Sequence, residues 1–325
     1  MRRLIWGLVW LGLLYSGYWF AVSQILQTGA DRASVLLADQ GADLTIGSVT
    51  TTGYPVRFDT VLHDLHLAGT DWAWHAPQIT LQADSYRPLS LGMRFAQDQV
   101  LRLADQTLLL GGENWHVHIA LRPTPLLVFD AGWLRMGATT VVSDAGWQFD
   151  LGQLAAGLTD AGGPDPSYDA ELKAERLVLP APLRDQIDPA ATLGPEIEAI
   201  TGAARLVFAQ PLDRDLQGAL LDLDQITLHD LRFDWGSVTL QASGDVAIDS
   251  VGIPTGRIDL RSQQWGLLLD FLIAAGLIEP SVRNAITRVA GFMADADGVL
   301  TVPLVFQEGM MLVGPVPVGP APRLR

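Results

Sequence analysis

The sequence predicts a mainly β chain of the α+β kind: an N-terminal transmembrane helix, a long curved antiparallel sheet, and apolar helices near the C-terminus. Three observations predict it. The chain opens on a long apolar run. From Leu44 onward apolar residues recur at every second position over many short segments, the period of strands with one buried face. Helical crossovers of the kind parallel strands need are missing between those segments.

The opening run follows Arg2 and Arg3 and carries no charge for 27 residues, up to Asp31. Its strongly apolar part covers residues 4–22, and about 20 residues span a bilayer core as a helix. Trp6 and Trp10 lie toward one end, and Tyr15, Tyr18 and Trp19 toward the other, as at two membrane interfaces. The competing reading is a cleaved signal at Ala21-Val22-Ser23. The length of the run and the bulky aromatics beside that site favour a retained anchor over 1–30. Two arginines before the span and an acidic chain after it predict a single pass with the N-terminus in and the C-terminus out. Residues 31–43 read as a juxtamembrane helix stopped at Gly41.

The domain over 44–325 begins with segments such as LTIGSVTT, VRFDTVLHDLHLAG and WAWHAPQITLQAD, separated by Gly, Pro, Asn or Asp. An acidic, turn-rich stretch at 160–171 marks a sub-boundary. Strands resume with ELKAERLVLP and again from about Gly218. WGLLLDFLIAAGLI is apolar nearly all round but too short to span, so it reads as a core or groove-capping helix. EPSVRNAITRVAGFMAD follows, with Pro280 near the first helical turn and Val282, Ile286, Val289 and Phe292 at helical spacing.

The segment order HDL, DW, TLQA occurs twice, from His63 to Ala83 and from His229 to Ala242. This weak internal repeat suggests two β units in which a polar-tipped strand turns and returns.

The net charge of −15 and a single lysine, Lys173, argue against nucleic acid as a partner. The absence of cysteine removes disulfides, zinc-thiolate sites and cysteine nucleophiles. Gly-x-Ser-x-Gly and phosphate-binding loops are missing as well. His63, Asp64 and His66 could ligate a metal, but strict alternation splits His63 from Asp64 and His66. His116 and His118 share a face and form half a zinc or iron site, with no spacing that nominates a third ligand. Asp295 and Asp297 before Gly298 resemble a calcium loop without its acidic end ligand. A polar sheet face and a turn are the simpler readings. No catalytic residue, metal or cofactor is expected, and the chain does not read as an enzyme.

Gly53-Tyr54-Pro55 with Arg57-Phe58-Asp59, the short N-terminal apolar segment, and the Trp74 to Pro77 turn together resemble a bacterial family known as domain of unknown function 2125. In that family motif Gly53, Tyr54, Pro55 and Phe58 are structural. A weaker similarity, to AsmA-like envelope proteins, rests on 244–249 leading to 256–260, the apolar helices at 264–294, and the strands from 298 to 315. That similarity implies a taco-like or open-barrel sheet with an apolar groove, single-pass anchoring in the inner membrane with a cytoplasmic N-terminus and a periplasmic C-terminal domain, and a role in phospholipid handling. A groove and a self-filled core need the same alternation.

These readings lead to a membrane-anchored periplasmic β-groove protein that binds or passes phospholipid or another acyl-chain ligand. Leu268, Leu269, Phe271, Leu272 and Ile273 would contact the lipid at one groove end. The inner membrane and envelope proteins are the expected partners. The alternative is a non-enzymatic structural or assembly factor of the cell envelope with no ligand.

Overall fold

The computed structural model describes residues 2–38, 41–189, 191–214 and 222–324, and within the first helix the side chains of 10, 12–29, 34, 35, 37 and 38. The order is α1 (Arg2–Ala38), β1 (Asp43–Thr52), β2 (Arg57–Ala68), β3 (Trp72–Asp84), β4 (Arg87–Phe95), β5 (Gln99–Leu103), β6 (Thr107–Gly112), β7 (His116–Leu121), β8 (Phe129–Met136), β9 (Thr139–Ser143), β10 (Gln148–Asp160) and β11 (Ser167–Val178). It continues with α2 (Ala181–Ile187), β12 (Ile197–Phe208), β13 (Leu223–Trp235), β14 (Val238–Ile248), β15 (Pro254–Gln263), α3 (Trp265–Ala274), α4 (Arg283–Met293), β16 (Leu300–Gln307), β17 (Met310–Val313) and β18 (Val316–Pro320). Two compact units result, one of Met1–Ala120 with Thr140–Gly146, the other of Leu121–Thr139 with Trp147–Arg325.

Among the described residues no helix is long and apolar enough to cross a membrane. This corrects the expected anchor over 1–30, and with it the single-pass inner-membrane topology with a periplasmic domain. Trp6 falls outside the described side chains. Trp10 is exposed, but Tyr15, Tyr18 and Trp19, read as one interfacial belt, have a different use, because they face the first unit's own sheet. Trp19 is 5% exposed. Its ring stacks on Phe58 at 5.5 Å and its Nε1–H donates to the Arg57 carbonyl at 2.9 Å. The Tyr15 hydroxyl donates to the Pro55 carbonyl at 2.8 Å and lies 2.6 Å from Ser85 Oγ. Tyr18 donates to the Ser85 carbonyl. The polar atoms of Tyr15, Tyr18 and Trp19 are thus satisfied from the sheet side, while the Ser16 and Ser23 hydroxyls donate to carbonyls of their own helix.

The sheet side of this contact is the turn at 53–56. Gly53 has φ +98°, and a Cβ there would meet the Arg57 carbonyl at 2.9 Å. The Tyr54–Pro55 peptide is cis, and Val56 and Arg57 both donate to the Gly53 carbonyl. The turn delivers Phe58 to a position 2% exposed. Trp74 to Pro77, read as a turn, lies inside β3.

Strict alternation fails in β2. Asp64 has φ 50°, and Leu62 before it and Leu65 after it join one core with Ala76 and Ile79. The phase of the strand is reset at Asp64. His63 and His66 therefore share the polar face rather than dividing between faces, and His66 stacks on His75 with ring centroids 4.3 Å apart. The second HDL segment also disturbs its strand. Pairing of β13 with β14 slips between Leu228 and Leu231, so His229 and Asp230 form a bulge. Both HDL–TLQA segments are antiparallel hairpins, β2–β3 and β13–β14.

In the second unit, helices cover the apolar face of the sheet at β14 and β16, whereas Leu172 on β11 is 41% exposed. Trp235, Val238, Leu193, Ile187, Ile197 and Leu268 form one core; Leu269, Ile278, Ile286 and Val318 form another. Because α3 lies between these two clusters, it is apolar nearly all round. Its Asp270 is turned outward and accepts from Arg283 at 2.9 and 2.6 Å. Phe292, placed on the buried stripe of α4 by its spacing, is 91% exposed, whereas Ile286 and Ala290 are buried.

The loop after α2 is closed by Asp188, which is 7% exposed. Its carboxylate accepts from the Thr192 N–H and hydroxyl and, at 2.8 Å, from the Leu193 N–H. Burial alone would push this carboxyl up; the Leu193 and Thr192 hydrogen bonds outweigh it and hold it below the usual carboxylate range. A depressed folded-state pKa contributes stability above the unfolded value of about 3.9, and that contribution disappears as pH falls through the folded value. Urea midpoints measured from pH 5 down to pH 3 should fall more steeply for the native protein than for Asp188→Asn. Parallel curves would remove Asp188 from this role.

Candidate functional site

The residues first nominated for a groove are packed against protein. Leu268 and Leu269 are buried, Phe271 stacks on Phe233 at 6.2 Å, and Leu272 and Ile273 complete the two clusters. The cavity beside them, lined by Leu240, Leu260, Trp265, Leu300 and Val302 among others, measures about 70 Å³. Small-molecule sites occupy about 300–1,000 Å³. The expectation of a taco-like or open-barrel groove is corrected accordingly: the strands carry α3 and α4 on their apolar face.

The histidine pair on β7 shares a face, as alternation requires. Arg94 Nε–H donates to His116 Nε2 at 3.0 Å, and His118 Nε2 lies 3.0 Å from Ser90 Oγ. Among the described residues no group of three or more His, Cys, Asp or Glu side chains is arranged to hold a metal ion. Asp295 Oδ1 accepts from the Asp297 and Val299 N–H groups, which makes a turn.

A larger hollow, of about 450 Å³, opens on the polar face of the second unit. Its construction follows from strand register. Pairing of β8, β10, β11, β12 and β13 aligns Trp133, Gly157, Glu171, Ala203 and Asp230 in one row across the sheet. Two residues along, Arg135, Ala155, Lys173, Thr201 and Arg232 form the adjacent row. Small residues on β10 and β12 make the floor, and longer ones on β8, β11 and β13 stand as walls. Five strands at about 4.8 Å spacing make the hollow on the order of 19 Å across, with the β11 side chains standing between its two floor strips.

Its charges are unequal in their commitments. Lys173 Nζ lies 2.7 Å from Glu175. Arg232, at the end of the adjacent row and outside the lining of the hollow, donates to Asp234 at 2.7 Å, a bond that raises its already high pKa. The Arg135 guanidinium sits 4.6 Å above the Trp133 ring, a cation–π contact. Glu171 and Asp230 flank Ala203, and among the described residues neither forms an ion pair.

Sequence reasoning missed this trough. Its residues span 133 to 230, and only strand register brings them together. The one local signal was the single lysine in ELKAERL, placed between two glutamates.

Residues 19–322 match the family described as an uncharacterized protein conserved in bacteria, domain of unknown function 2125. The chain belongs to that family. The matched region starts at Trp19, the residue that stacks on Phe58, and contains the Gly53-Tyr54-Pro55 turn and the whole trough. No curated protein and no solved structure matches the chain, so the similarity to AsmA-like proteins has no support there.

Proposed function

We propose that this family member is a non-enzymatic assembly factor that holds a segment of a partner protein in the trough of its second unit. The observation that carries this reading is the trough itself: an open hollow of about 450 Å³ with a small-residue floor, an aromatic wall and charged rims. Interfaces concentrate Trp and Arg where an anchor is seated, and Trp133 with Arg135 supplies both. The charged groups there are held by neighbouring side chains or flank an alanine, with no nucleophile set against a base. This reading takes the place of the membrane-anchored lipid-handling role, whose anchor is corrected above.

The test is a photo-crosslinking amino acid at Thr201, in the trough, and at Val251, an exposed loop position of the same unit. Irradiation in cells of the native source should give one discrete adduct from position 201 and none from 251. That adduct should disappear when Gly157→Leu fills the floor. Gly157 tolerates a side chain, since an added Cβ would approach only the Gly132 carbonyl at 3.9 Å. The reading fails if position 201 yields no adduct, or one that Gly157→Leu leaves unchanged.

A further inference from the structure

We infer that the second unit carries a separate anion site, between Arg232 on β13 and Arg261 on β15, for the phosphate group of a small water-soluble phosphate monoester.

The site follows from strand register. Arg232 lies opposite Gln241 on β14, and Gln241 lies opposite Arg261 on β15. The next row on the same side of the sheet brings Thr239 opposite Gln263. These five side chains and buried Val299 line a hollow of about 350 Å³. Small-molecule sites occupy about 300–1,000 Å³. The two arginines stand two strand spacings apart, about 10 Å in their backbones, so both long side chains can reach one anion from opposite sides.

Three observations point to phosphate. First, among the described residues no carboxylate lines the hollow, and the acids closest in register are held elsewhere. Asp259, on the same face of β15 as Arg261, pairs with Arg257 at 2.6 Å. Asp295 accepts from the Asp297 and Val299 N–H groups. Second, the side chains of Thr239, Gln241, Arg261 and Gln263 make no hydrogen bond or ion pair with any described residue. Arg232 is bonded to Asp234 through Nε at 2.7 Å, which orients the guanidinium and leaves both Nη groups to donate. Third, the donors outnumber what a carboxylate accepts. Two guanidinium groups, two amides and a hydroxyl converge on the hollow, and a phosphate monoester presents three terminal oxygens and up to two charges, the geometry that arginine forks match.

The surroundings select the rest of the ligand. None of the exposed large apolar side chains lies on β13, β14, β15 or β16, so these strands offer no apolar surface to an acyl chain, and the ester is a soluble one. The charge of −15 on the whole chain works against anions at a distance. Discrimination therefore comes from the short contacts inside the hollow.

The test is isothermal titration of the full chain with glycerol 3-phosphate, inorganic phosphate and glycerate, above the second phosphate pKa of about 6. One glycerol 3-phosphate should bind per chain, at least ten-fold tighter than glycerate. Arg261→Gln should weaken it at least ten-fold; the native side chain has no protein partner, so circular dichroism should be unchanged. Gln241→Glu sets a carboxylate between the two arginines and should abolish binding. Gly157→Leu, in the trough, should leave the titration as it was. The inference is overturned if glycerol 3-phosphate does not bind, if glycerate binds as tightly, or if Arg261→Gln and Gln241→Glu change nothing. Inorganic phosphate binding as tightly as glycerol 3-phosphate would overturn the ester. Flotation of the chain with vesicles containing phosphatidic acid, lost in Arg261→Gln, would overturn the soluble ester in favour of a lipid headgroup.

Discussion

Replacing Trp235 by alanine is expected to lower the stability of the second unit by about 3–5 kcal/mol. The side chain is 1% exposed and lies where the sheet, the loop after α2 and helix α3 meet. Its ring approaches Phe271 of α3 edge-on at 5.6 Å and Phe233 at 6.3 Å. Its Nε1–H donates to the Gly194 carbonyl at 3.2 Å. Truncation removes the largest fully buried side chain among the described residues and leaves a hole under α3 that helix and strands cannot both close. Gly236 follows immediately at φ +56°, and a Cβ there would strike the Leu193 carbonyl, so the backbone has little room to collapse inward. Trp235→Phe is the graded control: it keeps much of the ring and loses the hydrogen bond, at a cost of about 1–3 kcal/mol. The measurement is urea unfolding followed by far-UV circular dichroism, since the ten tryptophans would blur a fluorescence signal. Amide exchange across 265–274 should accelerate together with the loss. A cost below about 1 kcal/mol would mean that α3 is not clamped by this residue, and would reopen the question of what covers the apolar face.

How much of this was legible in sequence depends on how local each cause is. VRFDTVLHDLHLAG and ELKAERLVLP lie in β2 and β11, because alternation is written in neighbouring residues. The phase reset at Asp64 was not legible, since a single left-handed φ moves every later side chain to the opposite face. Strict alternation therefore separated His63 from His66 when the strand unites them. The N-terminal run showed its apolar length. Its partners on the sheet, Pro55, Phe58 and Ser85, are 39 to 70 residues away, and no periodicity announces them. Its length, the arginines before it and the aromatic residues at its two ends were taken for a membrane span. WGLLLDFLIA was legible as wholly apolar, but its burial between two clusters depends on Val238 and Val318 arriving from either side. The trough needed four strand registers at once. Gly157 and Ala203 look like ordinary small residues until β8, β11 and β13 raise walls beside them.

Phe58→Ala is the matching test in the first unit, with an expected cost of about 3–5 kcal/mol and a more local signature. Phe58 is 2% exposed, stacked on Trp19 at 5.5 Å and edge-on to Tyr18 at 6.4 Å. Its removal takes away the surface on which this part of α1 rests. What remains is the Tyr54 ring, which meets Trp19 at 5.4 Å and Phe20 at 5.8 Å, and hydrogen bonds around Ser85, itself 2% exposed, whose Oγ also donates to the Val56 carbonyl at 2.7 Å. Hydrogen bonds of this kind contribute about 1 kcal/mol each when their groups can return to water, and half-exposed Tyr54 offers less apolar cover than buried Phe58, so the helix is held more weakly. Chymotrypsin should therefore cut at Tyr18, Trp19 and Phe20 far faster in Phe58→Ala than in the native chain. Trp19→Ala separates the two roles of the contact. It should give the same exposure of 15–23 with a smaller loss of sheet stability, because it leaves Phe58 packed on β3 opposite Ala83. Phe58→Leu keeps apolar volume without the stacked ring and should cost less than about 1.5 kcal/mol. If cleavage at 18–20 is unchanged in both alanine variants, α1 is held by something other than the Gly53-Tyr54-Pro55 turn and Phe58, and the structural role assigned to that motif fails. If cleavage rises in both while β1–β3 keep their exchange protection, the motif is the seat of α1, formed by a glycine that permits the turn and an aromatic ring that receives the helix.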